Sequence, residues 1–183
     1  MEVFKCDKGC CSIKIKPYTS PKDPYEKIRR RRRKAGVFIY DPATKKVLLV
    51  QSRGHWWGPP KGSMDYQETE RMCAVREVYE ETGLKIPVES FTKATNIINK
   101  SMYFYSEMPE CEVKVQDHIP DNDVNGIGWI KLDCLADCLK NGNISLSNHC
   151  RIVFYRFMCL SFPDPEFVLV EKKRRVRRNV CDL

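Results

Sequence analysis

The chain has 183 residues, room for one core with modest extensions and cramped for two. With 42% hydrophobic, 10% aromatic and 31% charged residues it has globular composition, which excludes wholesale disorder and collagen-like or low-complexity character. The net charge of +8 is concentrated in two runs, residues 29–34 and 171–178, which leave the remainder at −3, so a polyanionic partner is expected at two patches rather than over the whole surface.

The opening text MEVFKCDKGCCSIKIK lacks the continuous apolar stretch of a secretory signal, and no uncharged run nears the roughly 18 apolar residues of a membrane span. An intracellular, cytoplasmic protein without membrane association is therefore expected, although the basic runs also fit a nuclear-localisation signal. Residues 1–34 carry Pro17, Pro21 and Pro24 and read as an extended arm or short edge element that ends in the basic run. A core domain is expected over 35–160 and a basic tail over 161–183. Within the core, 35–40 and 46–50 are β-branched and aromatic runs around the Pro-containing break 41–44, a strand–turn–strand hairpin. Residues 51–62, rich in Gly, Pro and Trp, read as a loop. From Tyr66 to Thr82 the apolar residues Met72, Val75, Val78 and Tyr79 recur at helical intervals, and Gly83 is placed to stop that helix in the left-handed conformation. Further strands are expected at 91–98, 101–107, 112–115 and 127–130, with helices at 132–139 and 147–160. The last of these is read as the outer helix of a layered fold. Mixed strands with helices of this kind indicate an α+β architecture.

Ten cysteines are many for this length, yet no CxxC is present. Cys6, Cys10 and Cys11 form one group, Cys134 and Cys138 are four apart, and His149 adjoins Cys150, so a zinc site would have to be assembled from separated pieces. The cysteines are read instead as reduced thiols, several of them small buried apolar groups.

The chemistry is carried by Gly62-Ser-Met-Asp-Tyr-Gln-Glu68, seven further residues, and then Arg76-Glu77-Val-Tyr-Glu80-Glu81-Thr-Gly83-Leu84. Glu77, Glu80 and Glu81 stand at i, i+3 and i+4 and so share one helix face. Three anions at that spacing repel one another and weaken an isolated helix. A divalent cation removes the conflict, because magnesium or manganese takes carboxylate oxygens and keeps positions open for water and phosphate.

This pattern resembles the Nudix box at every fixed position, over residues 62–84. The resemblance implies an α/β/α sandwich around a mixed sheet and hydrolysis of a nucleoside diphosphate linkage assisted by Mg2+ or Mn2+. It also implies roles: Glu80 and Glu81 as principal metal ligands, Glu77 as a further ligand and base, the Gly62 carbonyl as a backbone ligand, Arg76 as the residue that orients the catalytic Glu, and Glu68 as support for the loop. Trp56-Trp57-Gly58-Pro59-Pro60-Lys61-Gly62 resembles both mRNA-decapping Nudix enzymes and asymmetrical dinucleoside tetraphosphatases. Lys61 is thereby a candidate phosphate contact, and Trp56 or Trp57, with Tyr103, Phe104 and Tyr105, are candidates for stacking on a base.

The segments Val47–Gln51, Cys73–Gly83 and Asn122–Trp129 look like the eukaryotic and large-DNA-virus decapping domains. That likeness implies a loop carboxylate at Asp123, with Asp121 or Glu112 as alternatives. Decapping of mRNA at its 5′ cap is the expected activity, and pyrophosphate hydrolysis of small dinucleoside polyphosphates is the alternative. Capped RNA would need a positive track, for which Arg29, Arg30, Arg31, Arg32, Arg33 and Lys34, together with Lys172, Lys173, Arg174, Arg175, Arg177 and Arg178, are the candidate RNA contacts. No protein partner is indicated. The roughly 34 residues before the core are too few for the helical regulatory domain of the eukaryotic decapping enzyme.

Overall fold

Two strands that begin as a hairpin and then part company set the architecture. In the computed structural model, which describes residues 1–18, 32–97, 100–119 and 122–161, β3 (Lys34–Asp41) and β4 (Lys46–Ser52) pair only at their turn end, Tyr40 with Val47 and Asp41 with Lys46. Beyond that point β3 runs parallel to β8 (Ser101–Glu107) along its whole length, and β4 runs antiparallel to β9 (Val124–Lys131). The expected hairpin is present, but its arms splay.

The wedge between them is filled by the segment read as loop. It forms two short strands, β5 (Trp56–Gly58) against β4 and β6 (Lys61–Ser63) against β3. Gly36 permits that close crossing, since a Cβ there would stand 2.4 Å from the Pro60 carbonyl oxygen and 2.5 Å from the Lys61 Cβ. The sheet is completed by β1 (Glu2–Lys5), β2 (Ser12–Ile15), β7 (Lys93–Ile97) and β10 (Ser145–Leu146), in the order β1-β2-β9-β4-β3-β8-β7, with β10 beside β5.

Both faces of the central strands are buried, as the unbroken apolar run Val47-Leu-Leu-Val50 requires. Successive side chains alternate between two cores. Val37, Ile39, Leu48, Val50, Ile127 and Trp129 pack with Ala74 and Val78 of α1 (Glu70–Thr82). Phe38, Val47, Leu49, Trp57 and Ile130 pack with Leu135 of α2 (Leu132–Lys140) and with Val153 and Phe154 of α3 (Asn148–Met158). The result is α+β, a mixed sheet between helices on its two faces, and no helix of the described residues is long and apolar enough to cross a membrane.

Two expectations need correction. Helix α1 begins at Glu70 rather than near Tyr66, because the Thr69 hydroxyl accepts the Met72 N–H and caps it there. Residues 112–115 form no strand: Val113 and Val115 are buried, but the segment crosses the α1 face with the Lys14 ammonium on the Val113 carbonyl instead of a ladder. The N-terminal arm, expected as an extended arm or short edge element, forms an edge hairpin whose β2 extends the sheet on β9, Ser12 opposite Trp129 and Ile15 opposite Gly126.

Candidate active site

The box helix presents its carboxylates to the wedge between β3 and β4. Gly83 ends α1 in the left-handed conformation with its N–H on the Tyr79 carbonyl, as its position after Thr82 predicts. Glu77 is 9% exposed and Glu81 5% exposed, so two carboxylates are taken out of water side by side. Burial pushes Glu77 up to about 7; Arg76 opposes the shift, and Glu80 and Glu68 add to it by repulsion. Glu81 is driven well above the ordinary carboxylate range by burial, against the pull of Lys61 and with added repulsion from Glu77 and Asp123.

Gly62 makes this seating feasible. A Cβ at that position would lie 2.0 Å from the Glu77 carboxyl group, so any side chain would evict the carboxylate from its place over the β6 backbone. One residue earlier, the Lys61 backbone N–H donates to Glu81 Oε2 at 2.9 Å and ties β6 to the far end of α1.

Arg76 is the hub. Its Nε and Nη2 engage Glu68 in a fork at 2.9 Å each, Nη2 also reaches the Ser63 carbonyl at 3.1 Å, and Nη1 bridges Glu77 at 3.0 Å and Glu80 at 2.9 Å. Planar, fixed donors suit an arginine for this task better than a lysine. Glu68 is held below the usual carboxylate range first by that guanidinium, and its second oxygen takes the Asp65 N–H. The four glutamates, Arg76 and Gly62 named from the sequence thus form one connected cluster.

Asp123 also belongs here. Arg53 donates to it through Nε at 3.0 Å and through the backbone N–H to its carbonyl at 3.2 Å, and the Asp123 charge is felt at Glu81. Its neighbour Asn122 anchors the loop by donating to the Glu80 and Gln116 carbonyls, both at 3.0 Å. Glu112 is exposed on the loop over the α1 face, and Asp121 lies outside the described residues.

The aromatic candidates divide. Trp57 is 1% exposed and packs in the core with α3, so it cannot stack on a ligand, whereas Trp56 is 47% exposed beside His55. Tyr103 and Tyr105 are core on the α3 side, and Phe104 is core on the α1 side, stacked on Phe91. The stacking expectation for these four fails because Tyr103, Phe104 and Tyr105 lie on β8, buried on both faces, and Trp57 occupies the inward position of β5.

The cations divide as well. Lys34, read as the end of the basic run, opens β3 opposite Ser63 and Ser101; burial lowers its pKa, and the charges it feels are Lys61, Arg53, Asp123 and Glu81. It is a residue of this site. Arg32 and Arg33 pair with Asp65 at 3.6 Å and Glu70 at 2.6 Å, next to the box. Arg29, Arg30, Arg31, Lys172, Lys173, Arg174, Arg175, Arg177 and Arg178 lie outside the described residues.

Sequence reasoning did not place Arg53 at this site, and weighed His149 only as a zinc-site fragment beside Cys150. His149 sits in the first turn of α3 edge-on to Tyr103, feels Lys61 and Lys34, and has its Nε2 buried without a hydrogen-bond partner among the described residues. Nothing in its local sequence signals this, because splayed strands and a helix far along the chain from the box bring it there.

An all-oxygen set of buried carboxylates with a backbone carbonyl fits a hard divalent cation and does not fit a soft one. The repulsion that pushes Glu77 and Glu81 toward the protonated form is what such a cation would relieve.

The sequence model of the NUDIX domain matches residues 30–149. "Putative hydrolase 111R" of Invertebrate iridescent virus 3 is 37% identical over 141 residues, 75% of this chain and 82% of its own length. The m7GpppN-mRNA hydrolase dcap-2 of Caenorhabditis elegans is 33% identical over 108 residues, 55% of this chain but only 14% of that protein. The asymmetrical bis(5'-nucleosyl)-tetraphosphatase of Rattus norvegicus is 30% identical over 107 residues, 51% of this chain and 69% of its own. Among solved structures, the Escherichia coli dihydroneopterin triphosphate pyrophosphohydrolase shares the fold with a TM-score of 0.51 and 21% identity, over 69% of this chain and 94% of that one.

Proposed function

Because this chain belongs to the NUDIX family and is a pyrophosphohydrolase of that kind, we propose that its substrate is the 5′ cap of mRNA, cleaved within the diphosphate linkage to a nucleoside diphosphate and a 5′-monophosphate RNA. Mg2+ or Mn2+, held by Glu77, Glu80, Glu81 and the Gly62 carbonyl, would supply charge neutralisation of the phosphates and acidify water for attack on phosphorus. The protein's own contribution is positioning. Arg76 fixes Glu77 and Glu80, Glu77 is the base that receives the water proton, and Asp123 adds a carboxylate from the β9 loop. Lys61 meets a substrate phosphate, and Trp56 offers an exposed ring for a base.

The observation that carries the RNA reading is the group of cations beside the carboxylates. Lys61 and Lys34 feel the Glu81 charge, Arg53 is paired with Asp123 beside them, and Arg32 and Arg33, paired with Asp65 and Glu70 next to the box, precede Lys34 in the basic run. A dinucleotide needs the inner three; only a long polyanion uses the rest. Similarity to decapping proteins, among them those of C. elegans and Acanthamoeba polyphaga mimivirus, supports this reading. Hydrolysis of dinucleoside tetraphosphates is the second reading, favoured by the rat relative and by the Pro59-Pro60-Lys61-Gly62 text.

Product analysis with cap-labelled RNA beside diadenosine tetraphosphate tests the choice. Decapping predicts nucleoside diphosphate release that falls steeply with salt and with removal of residues 171–183. Preferred turnover of the dinucleotide, with little salt dependence and no effect of the tail, would refute it.

A further inference from the structure

The fold does assemble one set of the scattered cysteines. Cys6 directly follows β1, Cys10 and Cys11 directly precede β2, and Cys134 lies in the first turn of α2. Cys10 Sγ stands 3.6 Å from Cys6, 3.8 Å from Cys11 and 3.4 Å from Cys134, and all four sulfurs lie within 4.8 Å of one another. Among the described residues this is the cluster in which ligand atoms of His, Cys, Asp or Glu converge so closely. We propose that Cys6, Cys10, Cys11 and Cys134 bind a structural zinc ion that fastens the N-terminal hairpin to α2, on the opposite side of β9 from the catalytic carboxylates' strand pair.

Four observations converge on that assignment. A tetrahedral zinc with bonds of about 2.3 Å places its sulfurs about 3.8 Å apart, and the observed spacings fall around that value. Two disulfides would instead show two exclusive pairs, whereas Cys10 has three near neighbours at similar range. Cys6, Cys11 and Cys134 are buried, so the charge a metal would place on them is shielded, while Cys10 reaches the surface and leaves a path for entry.

A backbone donor already meets one of the sulfurs. The Lys131 N–H donates to Cys11 Sγ at 3.2 Å, where β9 passes into the N-terminus of α2, so this sulfur is fixed beside the helix that carries Cys134. The loop that carries the thiols is already shaped: the Gly9 N–H closes a turn on the Cys6 carbonyl at 2.8 Å, and Lys8 pairs with Asp137 and Asp7 with Asn141 across the junction.

A staple has a clear physical task here. β2 is anchored by its ladder on β9 and by buried Ile13, but β1 is four residues long, pairs with β2 alone among the described residues, and leaves Val3 58% exposed, so the outer strand is the part a staple would hold. β2 in turn reaches the active-site loop, where the Lys16 N–H meets the Asn125 carbonyl at 2.8 Å two residues after Asp123. Zinc uptake by four thiols releases their protons and leaves the metal's oxidation state unchanged.

The test is metal analysis of the full chain after zinc-replete expression under reducing conditions, followed by X-ray absorption at the zinc edge. About one zinc per chain with four sulfur ligands near 2.3 Å, retained against excess magnesium, is expected. Cys10→Ser, which alters a surface thiol and not the core, should drop the zinc content at least about tenfold, consistent with loss of a ligand. Cys138→Ser, a buried neighbour outside the four, should retain it. Zinc below a tenth of an ion per chain, nitrogen or oxygen ligands alone, zinc undiminished in Cys10→Ser, or a peptide map joining any two of the four cysteines in a disulfide would each overturn the assignment.

Discussion

Stripping divalent cations from the protein should expose a stability that declines as pH rises. Glu77 holds its proton up to about 7 in the folded state against an ordinary value of 4.5, first because it is buried and then because Glu80 and Glu68 stand beside it, with Arg76 opposing. A raised folded pKa contributes stability that is complete below about pH 4.5 and is lost as pH rises through about 7. Each tenfold difference in proton affinity between folded and unfolded chain is worth about 1.36 kcal/mol, so the loss between about pH 5 and about pH 8 comes to about 2.5 kcal/mol, or roughly 5–10 °C in Tm for a chain of this size. Glu81 shifts in the same direction and adds to it.

Two groups titrate in that window with the opposite sign. His149 is lowered by burial, and Cys6, despite its burial, is held at about 6 by hydrogen bonds from Cys11 and Cys10. The observable is therefore the difference between wild type and Glu77→Gln, followed by thermal melts in EDTA across the range. The variant should lack about 2.5 kcal/mol of the pH-dependent change, and saturating magnesium should flatten the wild-type curve because it binds the ionised carboxylates. Parallel curves for the two proteins would show that the Glu77 carboxyl stays ionised in the fold and that burial does not hold its proton.

Gly62→Ala should lower metal affinity and turnover by about 10–100-fold while costing only about 1–3 kcal/mol of stability, since the added methyl meets a movable carboxylate at 2.0 Å rather than backbone; calorimetric titration with manganese that gives wild-type affinity would contradict this. The two adjacent tryptophans should separate cleanly. Trp57→Ala, in the core, is expected to cost about 3–5 kcal/mol, whereas Trp56→Ala should leave stability within about 0.5 kcal/mol and raise KM; the reverse ranking in melts would refute the placement of these rings.

The box was legible because its chemistry is local. Glu77, Glu80 and Glu81 acquire a common face from helical spacing alone, and Gly83 stops the helix for a reason visible in one residue. What the sequence hides is set at long range. Strand 35–40 looks like half of a hairpin, yet most of its ladder belongs to β8, far later in the chain. Trp57 and Trp56 look interchangeable on paper, and only the pairing of β5 with β4 decides which ring turns inward. Lys34 reads as the last charge of a run, but β3 begins at it, and that start carries it away from Arg32 and Arg33 into the carboxylate site. The four clustered thiols are hidden for the same reason, since 124 positions separate Cys10 from Cys134.

Under the proposed function, the splay of β3 and β4 would tie substrate contact to metal contact. Because the arms part, a second pair of strands must enter the wedge, and β6 enters with Lys61 and Gly62 adjacent on one backbone. The Lys61 N–H fixes Glu81, the bare Cα of Gly62 receives Glu77, and the Lys61 side chain stands among the charges that Glu81 and Lys34 feel. Under the proposed function, a phosphate that draws Lys61 forward would therefore pull on the strand that seats both carboxylates. Arg76 resists from the other side, since the same guanidinium holds Ser63 at the end of β6 and Glu77 and Glu80 on α1. The box spacing of five residues from Gly62 to Glu68 and seven more to Arg76 then has a mechanical meaning: it is the length of chain that lets one arginine clamp the strand, the loop and the helix at once.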